Sequence, residues 1–259
     1  LDKDKLREKI KYYKPDWVIN AAAYTNVDEA ETNKELALKV NKDGPKFISE
    51  ILGEFGGNLI HISTDFVFDG FSRVPYKPND HTNPISVYGN SKLLGEKEIE
   101  KVSSLKDKAV IIRTSWLMGP YGNNFANTML KLHNSQDTIR VVKDQNGCLT
   151  STISLANICW TIITIKSADN DFKLPLIMHW CDEGVTNWYE IADEIGNIGM
   201  KLNLIKKRAN IIPIKTKEYP YVALRPIYSV LDIKETQKIL NINASNWRET
   251  LLKSFKDYS

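Results

Sequence analysis

"GGNLIHISTDFVFDG", residues 56–70, opens on two glycines, runs through an apolar segment and closes on two hydroxyls and an acid, Ser63, Thr64 and Asp65. A short apolar run bounded by turn residues reads as a buried strand. Upstream, "KPDWVINAAA" (14–23) turns through Pro15 and Asp16 into a second such strand that ends in small residues. Downstream, "KAVIIRTSWLMG" (108–119) gives a third. Leu6, Ile10 and Tyr13 fall at helical spacing before the first strand. "VDEAETNKELALKVNKDGPKFISEIL" (27–52) reads as one or two helices, and another is expected from Pro84 to about Ile99. Strands alternating with helices predict an α/β fold, a doubly wound parallel sheet covered by helices.

The alternation loosens after Pro120. "NNFANTMLKLH", "SLANICWTIITI" and "TNWYEIADEIGNIG" read as helices, "TIRVVKDQNG" as strand then turn, and "PLIMHWCD" as a strand. "EYPYVALRPIYSVLDIKETQKIL" mixes turns with a terminal helix. The expected division is 1–120 for the sheet domain and 121–259 for a smaller, mixed region with some segments returning to the sheet.

Composition narrows the classes. The 259 residues include 42% apolar and 26% charged residues, close to average globular usage, which excludes disordered and fibrous classes. Net charge is +3 with both signs interspersed, so nothing calls for nucleic acid or a membrane surface. The longest apolar runs, such as "ANICWTIITI" (156–165), are too short to span a bilayer. Cys148, Cys159 and Cys181 are odd in number and lack metal-ligand spacing, which favours a reduced compartment. With no apolar leader in "LDKDKLREKI", a cytoplasmic protein is expected.

A doubly wound sheet that binds a dinucleotide normally begins with a strand, a glycine-rich turn and a helix whose N-terminus meets the pyrophosphate. No such turn occurs here; "GEFGG" (53–57) and "GPYG" (119–122) stand in the wrong context. Leu rather than Met at position 1 favours a chain that starts after that unit.

The chemistry is concentrated in "YGNSK" (88–92), where Tyr88 and Lys92 share one helix face with Cβ atoms roughly 5–6 Å apart. A free phenol has a pKa of about 10, and a nearby ammonium favours the phenolate. Ser63 and Thr64 end the neighbouring strand, at the carboxyl edge where parallel sheets form their binding crevice. Together these groups would hold and protonate a carbonyl oxygen while a hydride arrives at carbon. Taken singly, Tyr88 could be a rim aromatic, Lys92 a solvated charge and "STD" a helix cap; both motifs in order at one sheet edge favour the device.

The sequence resembles the dTDP-4-dehydrorhamnose reductase family of the extended short-chain dehydrogenase/reductase superfamily. The similarity is carried by "KPDWVINAAAYTNVDEAE" (14–31), "VN" (40–41), "HISTDFVFDG" (61–70), "NPISVYGNSKLLGE" (83–96), "RTSWLMGPYGNNFANTML" (113–130), "VKDQNGCLTST" (142–152) and "ALRPIYSVLD" (223–232), in family order over nearly the whole chain. The resemblance implies a Rossmann-like sheet whose first nucleotide-binding unit, on the order of 50 residues, is missing here. It implies a catalytic set of Thr64, Tyr88 and Lys92, with Tyr88 the proton donor, Lys92 on the nicotinamide ribose and drawing the phenol pKa down, and Thr64 on the reacting carbonyl. Ala21, Ala22 and Tyr24 would line the cofactor cleft with Asn41 behind them, and Thr114 and Ser115 would lie beside the nicotinamide. Trp116, Asn124 and Arg225 would face the substrate. The implied cofactor is NADPH or NADH, the partner a nucleotide sugar, and a homodimer is the assembly allowed for; no metal is assigned.

Packing readings compete with several of these. Ala21 and Ala22 could be small for close helix–sheet contact, Trp116 a core aromatic, Asn41 a backbone cap, and Arg225 the partner of a nearby acid. Asp28, Glu29 and Glu31 resemble a metal cluster but also suit a helix start. Phe66 replaces the family's usual tyrosine and Leu149 its usual proline, which leaves the sugar preference open. Three functions remain in play: reduction of dTDP-4-dehydro-L-rhamnose, another nucleotide-sugar reductase or epimerase, and a non-catalytic subunit resembling the methionine adenosyltransferase regulator.

Overall fold

The structure, a computed structural model, describes residues 1–256. Its centre is a four-stranded parallel sheet in the order β1 (Trp17–Asn20), β2 (Asn58–Thr64), β3 (Ala109–Thr114) and β8 (Ile177–His179). β3 is buried at all six positions, as expected of a central strand covered on both faces. Strand alternation then sorts the neighbours. Leu59, Ala109 and Ile111 pack with Ile10, Ile51, Leu52 and Ile99 from α1 (Lys3–Tyr13), α4 (Gly44–Phe55) and α5 (Val87–Glu100). Ile60, Val110 and Ile112 pack on the other face with Leu155, Ile158 and Ile162 of α7 (Thr152–Ala168). Each fully buried Ile or Leu contributes about 1.5–3 kcal/mol, so the two faces together fix the sheet's register.

β1 and α4 are joined by two short helices, α2 (Val27–Ala30) and α3 (Lys34–Leu38), and α3 runs on through a π-helical stretch, Lys39–Asp43. The one or two helices expected over 27–52 are therefore three, with a widened turn between α3 and α4, and the fully buried Asn41 sits within it. α5 begins at Val87 rather than Pro84, because Ser86 stays extended and its hydroxyl accepts from the Gly89 N–H.

The third strand ends earlier than its apolar run suggests. Trp116 adopts φ 43°, a left-handed conformation that breaks the extended backbone. The chain resumes as β4 (Leu117–Met118), paired in parallel with β7 (Thr150–Ser151). Beyond it, a parallel pair of β5 (Thr138–Val142) and β10 (Asn210–Ile214) packs with α6 (Phe125–Ser135), α8 (Trp188–Lys201) and α10 (Trp247–Lys256). Met129, Ile139, Val141, Ile191, Ile195, Trp247, Leu251 and Phe255 form this second core. β6 (Asn146–Gly147), β9 (Thr186–Asn187) and α9 (Lys234–Leu240) complete the framework. β10 and α10 have no counterpart in the sequence reading. Among the described residues no helix is long and apolar enough to cross a membrane.

Candidate active site

A cleft of about 520 Å³ opens at the carboxyl edge of the sheet. Its lining includes Thr64, Tyr88 and Lys92, together with Thr114, Ser115, Trp116, Asn124 and Arg225. Helix α5, which carries Tyr88 and Lys92, is held there from three sides. Its first turn is capped by Ser86 and also by Glu31, whose carboxylate accepts from the Val87 N–H at 2.8 Å. Gly89 and Gly95 allow close approach: a Cβ at either would lie 2.1 Å from the carbonyl oxygen of Phe66 or Asn41. Tyr88 is thereby brought beside the end of β2.

The hydroxyl pair at that strand end divides between faces. The Thr64 hydroxyl lies beside the Tyr88 phenol, accepts from the Phe66 N–H at 3.2 Å and donates to Asp65 Oδ1 at 3.1 Å. Ser63 instead donates to Glu96, which is locked in a buried ion pair with Arg113 at 2.7 Å. Asp65 is 1% exposed, its Oδ2 has no hydrogen-bond partner, and burial pushes its pKa up to about 6. Phe66 sets its ring edge-on to Tyr88 at 5.6 Å between centroids.

The electrostatics correct one expectation. Burial pushes Tyr88 up to about 12; the neighbouring Thr64 hydroxyl pulls the other way and the Asp65 carboxylate adds to the rise. Lys92 does not figure among the causes. Its ammonium turns toward β2, donating to the Ile62 carbonyl at 2.7 Å and lying 3.4 Å from His61 Nε2. Burial lowers Lys92 to about 8, with Glu96 opposing. The phenol is therefore kept firmly protonated, the state required of a proton donor.

The lining beside β1 follows strand alternation past the strand's end. Ala21, Ala23, Thr25 and Val27 line the cleft, whereas Ala22 faces a separate groove with Asn20 and Leu6. Tyr24 does not line the cleft. Asn41 pins its backbone, accepting from the Tyr24 N–H at 2.8 Å and donating to its carbonyl at 3.0 Å, and also donates to Ser91 on α5. Asn41 thus joins the loop after β1 to α5 from behind. Thr114 donates to Thr150 at 2.9 Å and Ser115 to the Cys148 carbonyl at 2.6 Å, so their hydroxyls also tie β3 to its surroundings. Small side chains at 21 and 23, hydroxyls at 114 and 115 and the Lys92 amine fit a nicotinamide and its ribose. Among the described residues no glycine-rich turn opens a helix toward this cleft to take a pyrophosphate.

On the opposite side, Trp116 stacks on Trp188 at 4.1 Å, and both line the cleft and a continuous pocket of about 330 Å³ behind it. Asn124 caps α6 and donates to the Gly119 carbonyl at 2.8 Å, fixing the loop at the rim. Arg225 lines both spaces, yet its guanidinium grips Asp28 at two points, 2.9 and 2.8 Å. Asp28 also accepts from the Val222 and Ala223 N–H groups, and Arg225 holds its pKa down to about 2. The three acids of 28–31 are separately engaged: Asp28 with Arg225, Glu29 with Asn26 and Asn33, Glu31 with α5. Among the described residues no group of three or more His, Cys, Asp or Glu side chains is placed to hold a metal ion.

Four polar residues escaped the sequence reading: Asn20, His61, Glu96 and Arg113, all buried behind the cleft. Glu96 had a usable signal, since 88, 92 and 96 continue one helix face. His61 and Ser63 share the face of β2 turned to α5, a period-two cue hidden by the apolar run around it.

A parallel sheet, a carboxyl-edge cleft and a threonine, tyrosine and lysine gathered at it are the arrangement of a short-chain dehydrogenase/reductase. The model of the RmlD substrate binding domain matches residues 1–259. A dTDP-4-dehydrorhamnose reductase of Aggregatibacter actinomycetemcomitans is 35% identical over 258 residues, covering 100% of this chain and 86% of the relative. The crystal structure of a dTDP-4-dehydrorhamnose reductase from Clostridium acetobutylicum superposes with a TM-score of 0.89 at 34% identity, over 99% of this chain and 86% of that one. One from Bacillus anthracis, in complex with NADP, gives 0.85 at 30% identity, over 99% and 85%. The chain belongs to the dTDP-4-dehydrorhamnose reductase family, whose RmlD substrate binding domain it matches throughout.

Proposed function

We infer that this protein reduces the C4 ketone of a nucleotide-linked 6-deoxy sugar, dTDP-4-dehydro-L-rhamnose, to dTDP-L-rhamnose with NADPH or NADH. The observation that carries the reading is the Tyr88 phenol, kept protonated beside Thr64 and Lys92 in a cleft at the carboxyl edge of the sheet. Ala21, Ala23, Thr114 and Ser115 would hold a reduced nicotinamide, and the chemistry such a group would supply is hydride for the carbonyl carbon. Tyr88 gives its proton to the carbonyl oxygen, and the Thr64 hydroxyl orients that oxygen against the phenol. Lys92 holds the ribose side. Ala22, Tyr24 and Asn41 serve the cofactor side, Ala22 through its own groove and the other two by holding the loop after β1. Trp116 and Trp188 give the sugar a flat apolar wall, Asn124 fixes the rim, and Arg225 presents its remaining donor capacity to the diphosphate side.

Residues 1–120 serve the cofactor and 121–259 mainly the sugar nucleotide. The reaction needs a reduced cofactor pool, which a cytoplasmic enzyme has, and a homodimer is the assembly we propose for it. Stoichiometry tests the reading: one NADPH or NADH consumed per keto sugar supports it, whereas sugar turnover without net cofactor oxidation means an epimerase.

A further inference from the structure

Three successive residues at the end of β2 each meet a different turn of α5. Thr64 stands beside the Tyr88 phenol, the Ile62 carbonyl accepts from Lys92 Nζ at 2.7 Å, and the Ser63 hydroxyl donates to Glu96 Oε1. Glu96 also takes a fork from β3: Arg113 Nε donates to Oε1 at 3.0 Å and Nη2 to Oε2 at 2.7 Å. Arg113 Nη1 donates to the Pro78 carbonyl at 3.0 Å, and the guanidinium lies 5.3 Å from the centre of the Phe68 ring. Ser63, Glu96 and Arg113 are all buried. In the parallel register Ser63 stands opposite Arg113 and Thr64 opposite Thr114. Side chains alternate along a strand, so locking 63 and 113 fixes how 64 and 114 enter the cleft.

We propose that Ser63, Glu96 and Arg113 form a positioning unit for the reduction: their bridge sets α5 against the ends of β2 and β3, and so sets where the Tyr88 phenol stands relative to Thr64 and Thr114. The proposal rests on the reductase reading above. The three act through the cleft residues beside them and not on the substrate. A buried ion pair is a weak stabiliser, since well-packed apolar groups of similar volume often do as well or better. What it supplies is direction, because a planar guanidinium meets a carboxylate in a fixed fork. The apolar contacts of α5, such as those of Ile99, hold the helix down but are non-directional. The reaction needs the direction: a misplacement of about 1 Å can cost roughly 100-fold in rate.

Stability and turnover should separate in opposite directions. The triple variant Ser63→Ala, Glu96→Met, Arg113→Met exchanges the bridge for apolar groups, and its urea unfolding midpoint should stay within about 1 M of the parent's. With NADPH and keto sugar, its kcat should fall about 30-fold or more, with the KM for the sugar within about threefold. Glu96→Gln keeps the shape and an oxygen for Arg113 but leaves the guanidinium's charge unanswered. It should lose stability yet keep kcat within about fivefold of the parent. Losses in kcat that follow the losses in stability overturn the proposal, as does a triple variant turning over within about threefold of the parent. Should the triple variant not fold, Ser63→Ala alone removes the strand-end arm. A kcat lowered about fivefold at unchanged midpoint and KM then supports the unit, and an unchanged kcat overturns it. One readout needs no turnover. The Phe66 and Tyr88 rings, 5.6 Å apart between centroids, should give an NMR cross-peak in the cofactor-free parent that weakens in the triple variant; an undiminished cross-peak overturns the proposal. A parent protein that oxidises no NADPH sinks the reductase reading, while the cross-peak still judges the bridge.

Discussion

Tyr88 is placed to act as an acid and poorly placed to act as a base. With its pKa pushed to about 12, it should show no tyrosinate absorbance below about pH 11, and the ultraviolet titrations of parent and Tyr88→Phe should coincide up to there. Coincidence failing near pH 8 or 9 would mean that an ammonium does lower the phenol after all. Lys92 has the opposite linkage. Its folded pKa, about 8, lies below its ordinary value of 10.5, so between those two pH values the unfolded chain binds more protons. Its burial therefore weakens the fold below pH 8, and that penalty is relieved as pH rises from about 8 toward 10.5. Lys92→Met, which keeps the stem without the charge, should raise stability at pH 7 by about 1–3 kcal/mol in urea unfolding while abolishing turnover. The Thr64, Tyr88 and Lys92 positions were legible because each stands in a short local pattern at a predictable sheet edge. What they do to one another was not. Spacing puts Lys92 on the face of Tyr88, but only the packed structure shows its amine turned to Ile62 and His61.

The elements that carry the site are held by close backbone approaches. α5 comes so near to Phe66 and Asn41 that Gly89→Ala or Gly95→Ala must push the helix off the strand end. Each is expected to destabilise by about 1–3 kcal/mol and to lower kcat more than it raises the KM for the sugar, measured by urea unfolding and steady-state kinetics. Parent-like stability in both would mean that α5 is less tightly seated than the geometry requires. The strands of the main sheet were readable from their apolar runs, because a strand buried on both faces needs no partner to be recognised. β3 was read too long, since an apolar run does not reveal the left-handed Trp116 that ends it. β10 and α10 went unseen: "NIIPI" carries a proline, and α10 earns its helix by docking Trp247, Leu251 and Phe255 into the second core.

Across the whole molecule, one contact links the two sides of the cleft. Arg225 and Asp28 are 197 residues apart in sequence and joined by two hydrogen bonds, with the segment at 222–223 donating to the same carboxylate. No local pattern announces such a pairing; it exists only once the fold brings the late segment over α2. Asp28 has a depressed pKa, so the stability it contributes is present above its ordinary value of 3.8 and is lost as pH falls toward 2. Arg225→Ala should raise the KM for the keto sugar about tenfold and lower kcat much less, because a missing latch weakens substrate capture before it disturbs the proton donor. An unchanged KM would show that the latch is structural alone. The central claim is narrower: a single phenol hands its proton to the sugar ketone. Turnover of dTDP-4-dehydro-L-rhamnose by Tyr88→Phe, beside the parent and with keto-sugar affinity measured separately, tests it most directly. Loss of about two to four orders of magnitude in kcat with affinity retained is the expected result; turnover within a few-fold of the parent would contradict it.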